Sequence, residues 1–376
     1  MAYYPGGLRR DEQVSYVLRG LFESRGYKRY KSNRFEEYGL YLENKSFLPA
    51  GNVVTFNSPD GRLLALRPDV TLSIAKNTKA TRQTGEKLYY IEDVCRLSPR
   101  AMEYEEINQM GLEYFGGIDN FAVAEVIGLA LRSLAEIDED FVLDISHMGF
   151  MGALLEKTVP EAEARDGILD CICQKNVHDL KKLAQEAGVS PADADRLGRA
   201  ASLYGTFGEC LPVAREIADG DEGLLEAVCE LENISGILSG LSLSSKMRLD
   251  FSIVNDIAYY NNVIFQGYVR RIPRAVLSGG RYDNLLSRFG HDAGAVGFAL
   301  YLNEISSRYT DSAGSDVDVF ILYDDNADMG ALLRKTDELA AAGKRVRAER
   351  NIPEELRCGK IYRFENGELK EVARDA

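Results

Sequence analysis

The chain is poor in the residues that build metal centres and disulfide frameworks. It has three histidines and six cysteines among 376 residues, and no two cysteines form a CxxC pair. Cys95, Cys171, Cys173, Cys210, Cys229 and Cys358 are therefore not read as a zinc site or a set of bridges. Cys171 and Cys173 fall in a helical pattern and are expected to be buried free thiols. His147 and His178 stand alone and read as structural or exposed residues, so no metal is expected. Long apolar runs are also missing. None reaches the roughly 18 residues of a spanning helix, and MAYYPGGLRRDEQ lacks the apolar centre of a signal peptide, which points to a cytoplasmic protein with no membrane partner. Finally, there is no basic excess: the net charge is −14, which disfavours a nonspecific nucleic-acid surface, although a local basic groove is still compatible with it.

What the chain does have is 45% hydrophobic residues, enough for two or three domains with cores. From Arg248 to Glu304, alternating aromatic, β-branched and polar residues broken by Gly279-Gly280 read as antiparallel strands joined by turns. Alternation puts Tyr260 and Asn262 on one face, and Tyr259, Val263 and Phe265 on the other. Gly279, Gly280 and Gly297 are candidates for a ligand lying against bare backbone, though a bulge is the commoner reason for a strand glycine.

Residues 8 to 26 place Val14, Val17, Leu18, Leu21 and Phe22 at helical spacing, with Gly26 as a cap. Arg62 to Thr78 reads as a strand, a proline stop and a helix whose first turn carries Asp69 and Thr71; plain helix capping explains Asp69 equally well. Leu88 to Gly117 reads as two long strands around a loop with Ser98, Pro99 and Arg100. Gln109, Gly111 and Glu113 share a face there, and the bare glycine between an amide and a carboxylate suggests a slot for a cationic or NH-bearing ligand. A helix over Phe121–Glu136 and a strand over Phe141–Gly149 precede helices rich in Ala, Leu and Glu. Strand signals resume at Met247, so residues 150–246 read as an inserted helical domain between core segments 1–149 and 247–306. After a polar link, residues 315–376 read as a small α/β appendage, with strand, helix and strand around Gly343 and no phosphate-binding glycine motif before the helix. No cofactor is expected.

RPDVT, YYIEDVCR, INQMGLEYFG, AYYNNVIF, SGGRYD and VGFA occur in that order. The set resembles the class II histidyl-tRNA synthetase core, and most closely its noncatalytic relatives, the regulatory subunits of ATP phosphoribosyltransferase. The resemblance covers residues 1–306, and the tail looks like a truncated anticodon-binding domain. It implies an α+β fold: an antiparallel class II synthetase-like sheet with flanking helices, a helical insertion and a small C-terminal α/β appendage. It also implies a histidine site. Asp69 and Thr71 match the positions that hold the α-amino group, Gln109 the one that contacts the amino-acid backbone, and Glu113 with Tyr260 those that read the imidazole. Arg96 matches an arginine facing a carboxylate or phosphate. Tyr259, Gly279, Gly280, Arg281 and Tyr282 are assigned to the wall.

Departures from the synthetase pattern set the expected function. Asn255 stands where the enzyme has a catalytic arginine, Glu304 where it has an ATP-binding arginine, and EYEEIN where its loop is basic. Asn33 replaces a proline of the dimer-forming motif. The expectation is a subunit without catalytic residues that binds histidine as feedback effector, dimerises, binds no tRNA, and joins a short catalytic ATP phosphoribosyltransferase subunit in a hetero-oligomer, commonly a hetero-octamer. The alternatives are a histidyl-tRNA synthetase, active or degenerate, and a histidine-sensing module for another partner.

Overall fold

A computed structural model describes residues 8–45, 48, 53–98, 102–254, 260, 262–309 and 315–373. Tyr259, Asn255, Pro99 and Arg100, all singled out above, lie outside the described residues. Val14–Arg308 forms one compact unit; Tyr309–Ala376 with Met1–Gln13 forms the other.

Helix α1 (Arg10–Ser24) buries Val14, Leu18 and Phe22. Val17, expected on that stripe, is 45% exposed because at 100° per residue it falls outside the arc of the other three. Gly26 adopts a left-handed φ of 81°, which lets the Tyr27 amide donate back to Phe22 O and close the helix. Next come β1 (Lys28–Arg29), β2 (Phe35–Glu37), α2 (Tyr38–Glu43), β3 (Thr55–Asn57) and β4 (Leu63–Leu66). The last two strands join β2 in a separate antiparallel sheet of order β2-β4-β3 that the sequence did not suggest. Helix α3 (Thr71–Asn77) then leads to β5 (Glu86–Leu97) and β6 (Tyr104–Gly116), which pair antiparallel along their whole length. After α4 (Asn120–Ile137) and β7 (Phe141–His147) follow α5 (Met148–Thr158), α6 (Ala162–Cys173), α7 (Val177–Glu186), α8 (Pro191–Ser202), the short strand β8 (Tyr204–Gly205), α9 (Phe207–Ala218) and α10 (Glu222–Leu238). Strands β9 (Met247–Asp250), β10 (Val263–Val269) and β11 (Leu277–Arg281), helix α11 (Asp283–Arg288), β12 (Gly294–Tyr301) and α12 (Leu302–Arg308) complete the unit.

Among the described residues nine strands make the main sheet, in the order β1-β5-β6-β12-β11-β10-β7-β9-β8. The run from β5 to β7 is antiparallel, as expected of the class II core, but β9 pairs parallel with β7, and Phe251, Ser252, Ile253, Val254, Tyr260 and Asn262, the described residues between it and β10, lie outside any strand. Tyr260 therefore precedes β10 rather than lying in a strand. Cys171 is half-buried and Cys173 exposed, correcting the expectation of buried thiols: they flank Ile172, which with Ile168 forms the stripe α6 turns inward. In the second unit β13 (Val317–Leu322), α13 (Met329–Ala341) and β14 (Val346–Glu349) form the strand, helix, strand run read from sequence, and a hairpin of β15 (Cys358–Glu365) and β16 (Glu368–Val372) adds two strands. No described helix is long and apolar enough to cross a membrane.

Candidate functional site

Glu113 is 2% exposed in the middle of the main sheet, where a carboxylate needs partners. Two donors converge on it. Thr71 Oγ1, at the start of α3, donates to Oε1 at 2.6 Å, and the Tyr282 hydroxyl, just past β11, donates to Oε2. The strand opposite contributes an absence: β12 puts Gly297 directly across from Glu113, and a Cβ there would fall on Oε2. Burial raises the Glu113 carboxyl to about 8, the nearby Asp69 charge adds to the rise, and the bonds from Thr71 and Tyr282 oppose it. At neutral pH the acid thus holds its proton and can donate as well as accept.

Around it stand the other groups. Asp69 Oδ1 accepts from the Leu72 amide at 2.9 Å, so it does cap α3, while Oδ2 lies 3.5 Å from Arg96 Nη2. Burial raises its carboxyl against the pull of Arg96. Arg96 is aimed by a 2.8 Å bond from Nε to Pro68 O. The Tyr260 hydroxyl feels Glu113, Asp69 and Arg96 together, and burial raises it strongly. Its ring meets Tyr282 edge-on at 6.3 Å, and Tyr282 meets Phe115 edge-on at 6.4 Å. Gln109 is buried on the Glu113 face of β6, and among the described residues its Nε2 has no protein partner, which leaves a donor for a ligand.

Asp69, Thr71, Arg96, Glu113, Tyr260 and Gly280 are therefore brought together, with Gln109 further along the same strand face. Gly279 and Arg281 are not. Gly279 faces the other side of the sheet, against Phe265 and Phe298. The guanidinium of Arg281 is held by Asp283 at 2.9 Å and by Glu230 at 3.4 Å. Strand alternation carries this distinction: Gly280 and Tyr282 share one face, Gly279 and Arg281 the other.

The glycines also differ from expectation. The space over Gly111, read as an open slot, is filled by the ring of Tyr90, its cross-strand partner. Tyr260 fills the space over Gly280, and Glu113 that over Gly297. Each glycine admits a side chain of the protein rather than a ligand, as aromatic residues commonly do beside strand glycines. Tyr90 was missed, and only the β5–β6 register reveals it. So was Arg67, 1% exposed, which donates to Asn33 O at 2.8 Å, Asp93 O at 2.7 Å and Glu92 Oε2 at 3.1 Å and fixes the stretch leading to Asp69. Glu304 in α12 is 3.2 Å from Arg274 Nη1. Among the described residues no cluster suited to a metal ion is found.

Comparison with known proteins gives the same fold. The family model for histidyl-tRNA synthetase matches residues 2–305. An ATP phosphoribosyltransferase regulatory subunit of Oceanobacillus iheyensis is 27% identical over 91% of this chain and 85% of its own. One from Desulfitobacterium hafniense is 31% identical over 76% of this chain and 74% of its own. A solved structure from Bacillus halodurans, described as an ATP phosphoribosyltransferase regulatory subunit/histidyl-tRNA synthetase, superposes with a TM-score of 0.76 at 24% identity, covering 93% and 91% of the two chains.

Proposed function

Because the chain belongs to the histidyl-tRNA synthetase family, and within it to the regulatory subunits of ATP phosphoribosyltransferase, we propose that it binds free histidine around Glu113 and transmits that occupancy to a catalytic subunit without activating the amino acid. The observation that carries this reading is the buried Glu113, ringed by Thr71, Tyr282 and the Asp69–Arg96 pair. The acid and the tyrosines suit an imidazole, Asp69 an ammonium, and Arg96 a carboxylate. Gln109 supplies the spare amide donor.

The nucleotide half has the wrong charges for adenylation. Charge that builds on phosphate needs fixed donors, each worth about 2.7–4 kcal/mol. In the order of the family's motifs, Glu304, which pairs with Arg274, and Asn255 stand where the synthetase has arginines, and Glu103, Glu105 and Glu106 precede Gln109. Losing two donors lowers a rate by several orders of magnitude. Calorimetry should therefore detect histidine binding and negligible ATP binding, and the isolated chain should give no histidine-dependent ATP–pyrophosphate exchange. Robust exchange would overturn the noncatalytic reading. With a short catalytic phosphoribosyltransferase subunit, the chain should form a hetero-oligomer whose activity it raises and histidine lowers, through a coupling of about 1–3 kcal/mol between the sites.

Histidine affinity should also depend on pH in a defined way. The free pocket keeps its Glu113 proton below about 8, and a free imidazole gains its own below about 6.5. The complex shares one proton between the two. Below the lower value a proton must leave on binding, and above the higher value one must be taken up. Affinity should peak between them and fall by up to about tenfold per pH unit outside. A flat profile from calorimetry at a series of pH values would remove the shared proton.

A further inference from the structure

Both tyrosines that close on Glu113 are tethered to one carboxylate of the helical layer. Glu230, on α10, lies 3.5 Å from Asn262 Nδ2 and 3.4 Å from Arg281 Nη1. Asn262 is two residues past Tyr260, and Arg281 immediately precedes Tyr282. The Asn262 carbonyl in turn accepts the Met148 amide at 2.7 Å. Arg281 is completed by Asp283, whose Oδ1 accepts the Ala295 amide at 2.9 Å, so the turn carrying Tyr282 is pinned between α10 and β12.

Glu230 is itself fixed. His147 caps α5, with Nδ1 accepting the Phe150 amide at 3.1 Å. That leaves the proton on Nε2, which donates to Glu230 Oε2 at 3.1 Å. Burial would raise the Glu230 carboxyl, but the bond from His147 and the charge of Arg281 outweigh it and hold the group below its ordinary value. Glu230 is an ionised, partly buried acceptor with its partners on both arms of the pocket. Among the described residues its partners are His147, Asn262 and Arg281, not Glu113.

We propose that Glu230 is a positioning residue of the histidine site: through Asn262 and Arg281 it sets the places of Tyr260 and Tyr282, and so links pocket occupancy to the helices that carry it. This rests on the reading of the Glu113 site as a histidine pocket. It also gives Arg281 a role that its distance from Glu113 leaves open. A shift of α10 moves Glu230 relative to the sheet, and both ring walls are then released together. Ligand in the pocket, by fixing those walls, holds α10 in return, as linkage requires.

The test uses the full chain and a double-mutant cycle. Glu230→Gln keeps an acceptor for His147 and Asn262 and removes the charge facing Arg281. It is expected to leave the urea midpoint of the unliganded protein near wild type and to weaken histidine by about threefold to tenfold in calorimetry. Glu230→Ala, which frees both arms, should weaken it further. Arg281→Gln should mimic Glu230→Gln, and the double variant should be no worse than either single one. Wild-type affinity in a normally folded Glu230→Gln protein, or additive losses in the double variant, would overturn the proposal. A wild-type chain that fails to bind histidine at all would instead sink the functional reading, and this inference with it.

Discussion

Gly297→Ala is expected to abolish histidine binding, with a loss of more than about a hundredfold, and to destabilise the fold by about 1–3 kcal/mol. The added methyl falls on Glu113 Oε2 and against the Leu112 carbonyl. The carboxyl could swing aside, breaking its bonds to Thr71 and Tyr282, but the backbone carbonyl of a central strand cannot. Either the acid leaves its place or β6 and β12 separate. Gly20→Ala is the control. Gly20 lies inside α1 with open space where its Cβ would be, and an alanine there should stabilise the helix by about 0.5–1 kcal/mol without altering affinity. Urea unfolding and calorimetry on the two variants separate the effects. Wild-type affinity in Gly297→Ala would mean that Glu113 does not sit where the ligand needs it.

Glu113→Ala should weaken histidine by about 1.5–3 kcal/mol, tenfold to a hundredfold, the range for a lost hydrogen bond to a charged group. The cause is loss of the group that exchanges a proton with the imidazole, together with loss of the acceptor to which the Thr71 and Tyr282 hydroxyls donate. Glu113→Gln separates the two. Its amide keeps one oxygen to accept from one of the two hydroxyls and turns an NH2 donor toward the other, but it cannot ionise, so the fall in affinity above about pH 8 should vanish while the acid-side fall persists. Unchanged affinity in the alanine variant would take Glu113 out of the site.

Much of this site is legible in the chain because strand alternation is strict. Gln109, Gly111 and Glu113 had to share a face, and so did Gly280 and Tyr282. Asp69 and Thr71 were placed by the proline that ends β4 and the helix start that follows. What the chain does not disclose is which strand lies opposite. Tyr90 fills the slot over Gly111 only because β5 and β6 pair in that register, and Gly297 faces Glu113 only because β12 sits beside β6. Register across a crossover is set by the whole sheet, not by local pattern. Arg281 illustrates the same limit. Its neighbour in the motif is in the site, yet its own partner, Glu230, arrives from a helix whose packing no local pattern specifies. The β15–β16 hairpin of the tail was missed because Asn366-Gly367 was not read as a turn; both residues take positive φ there.

The order of strands has a consequence for how the protein is made. Tyr282 lies 169 residues beyond Glu113, and β12, which supplies Gly297, follows later still. During synthesis β6 emerges long before the neighbours that shield its acid. A nascent chain ending within the helices must keep that carboxylate in water or under temporary cover. The partners of the buried acid are therefore completed late, when β12 docks on β6, and a prematurely released polypeptide has an unfinished β6 edge.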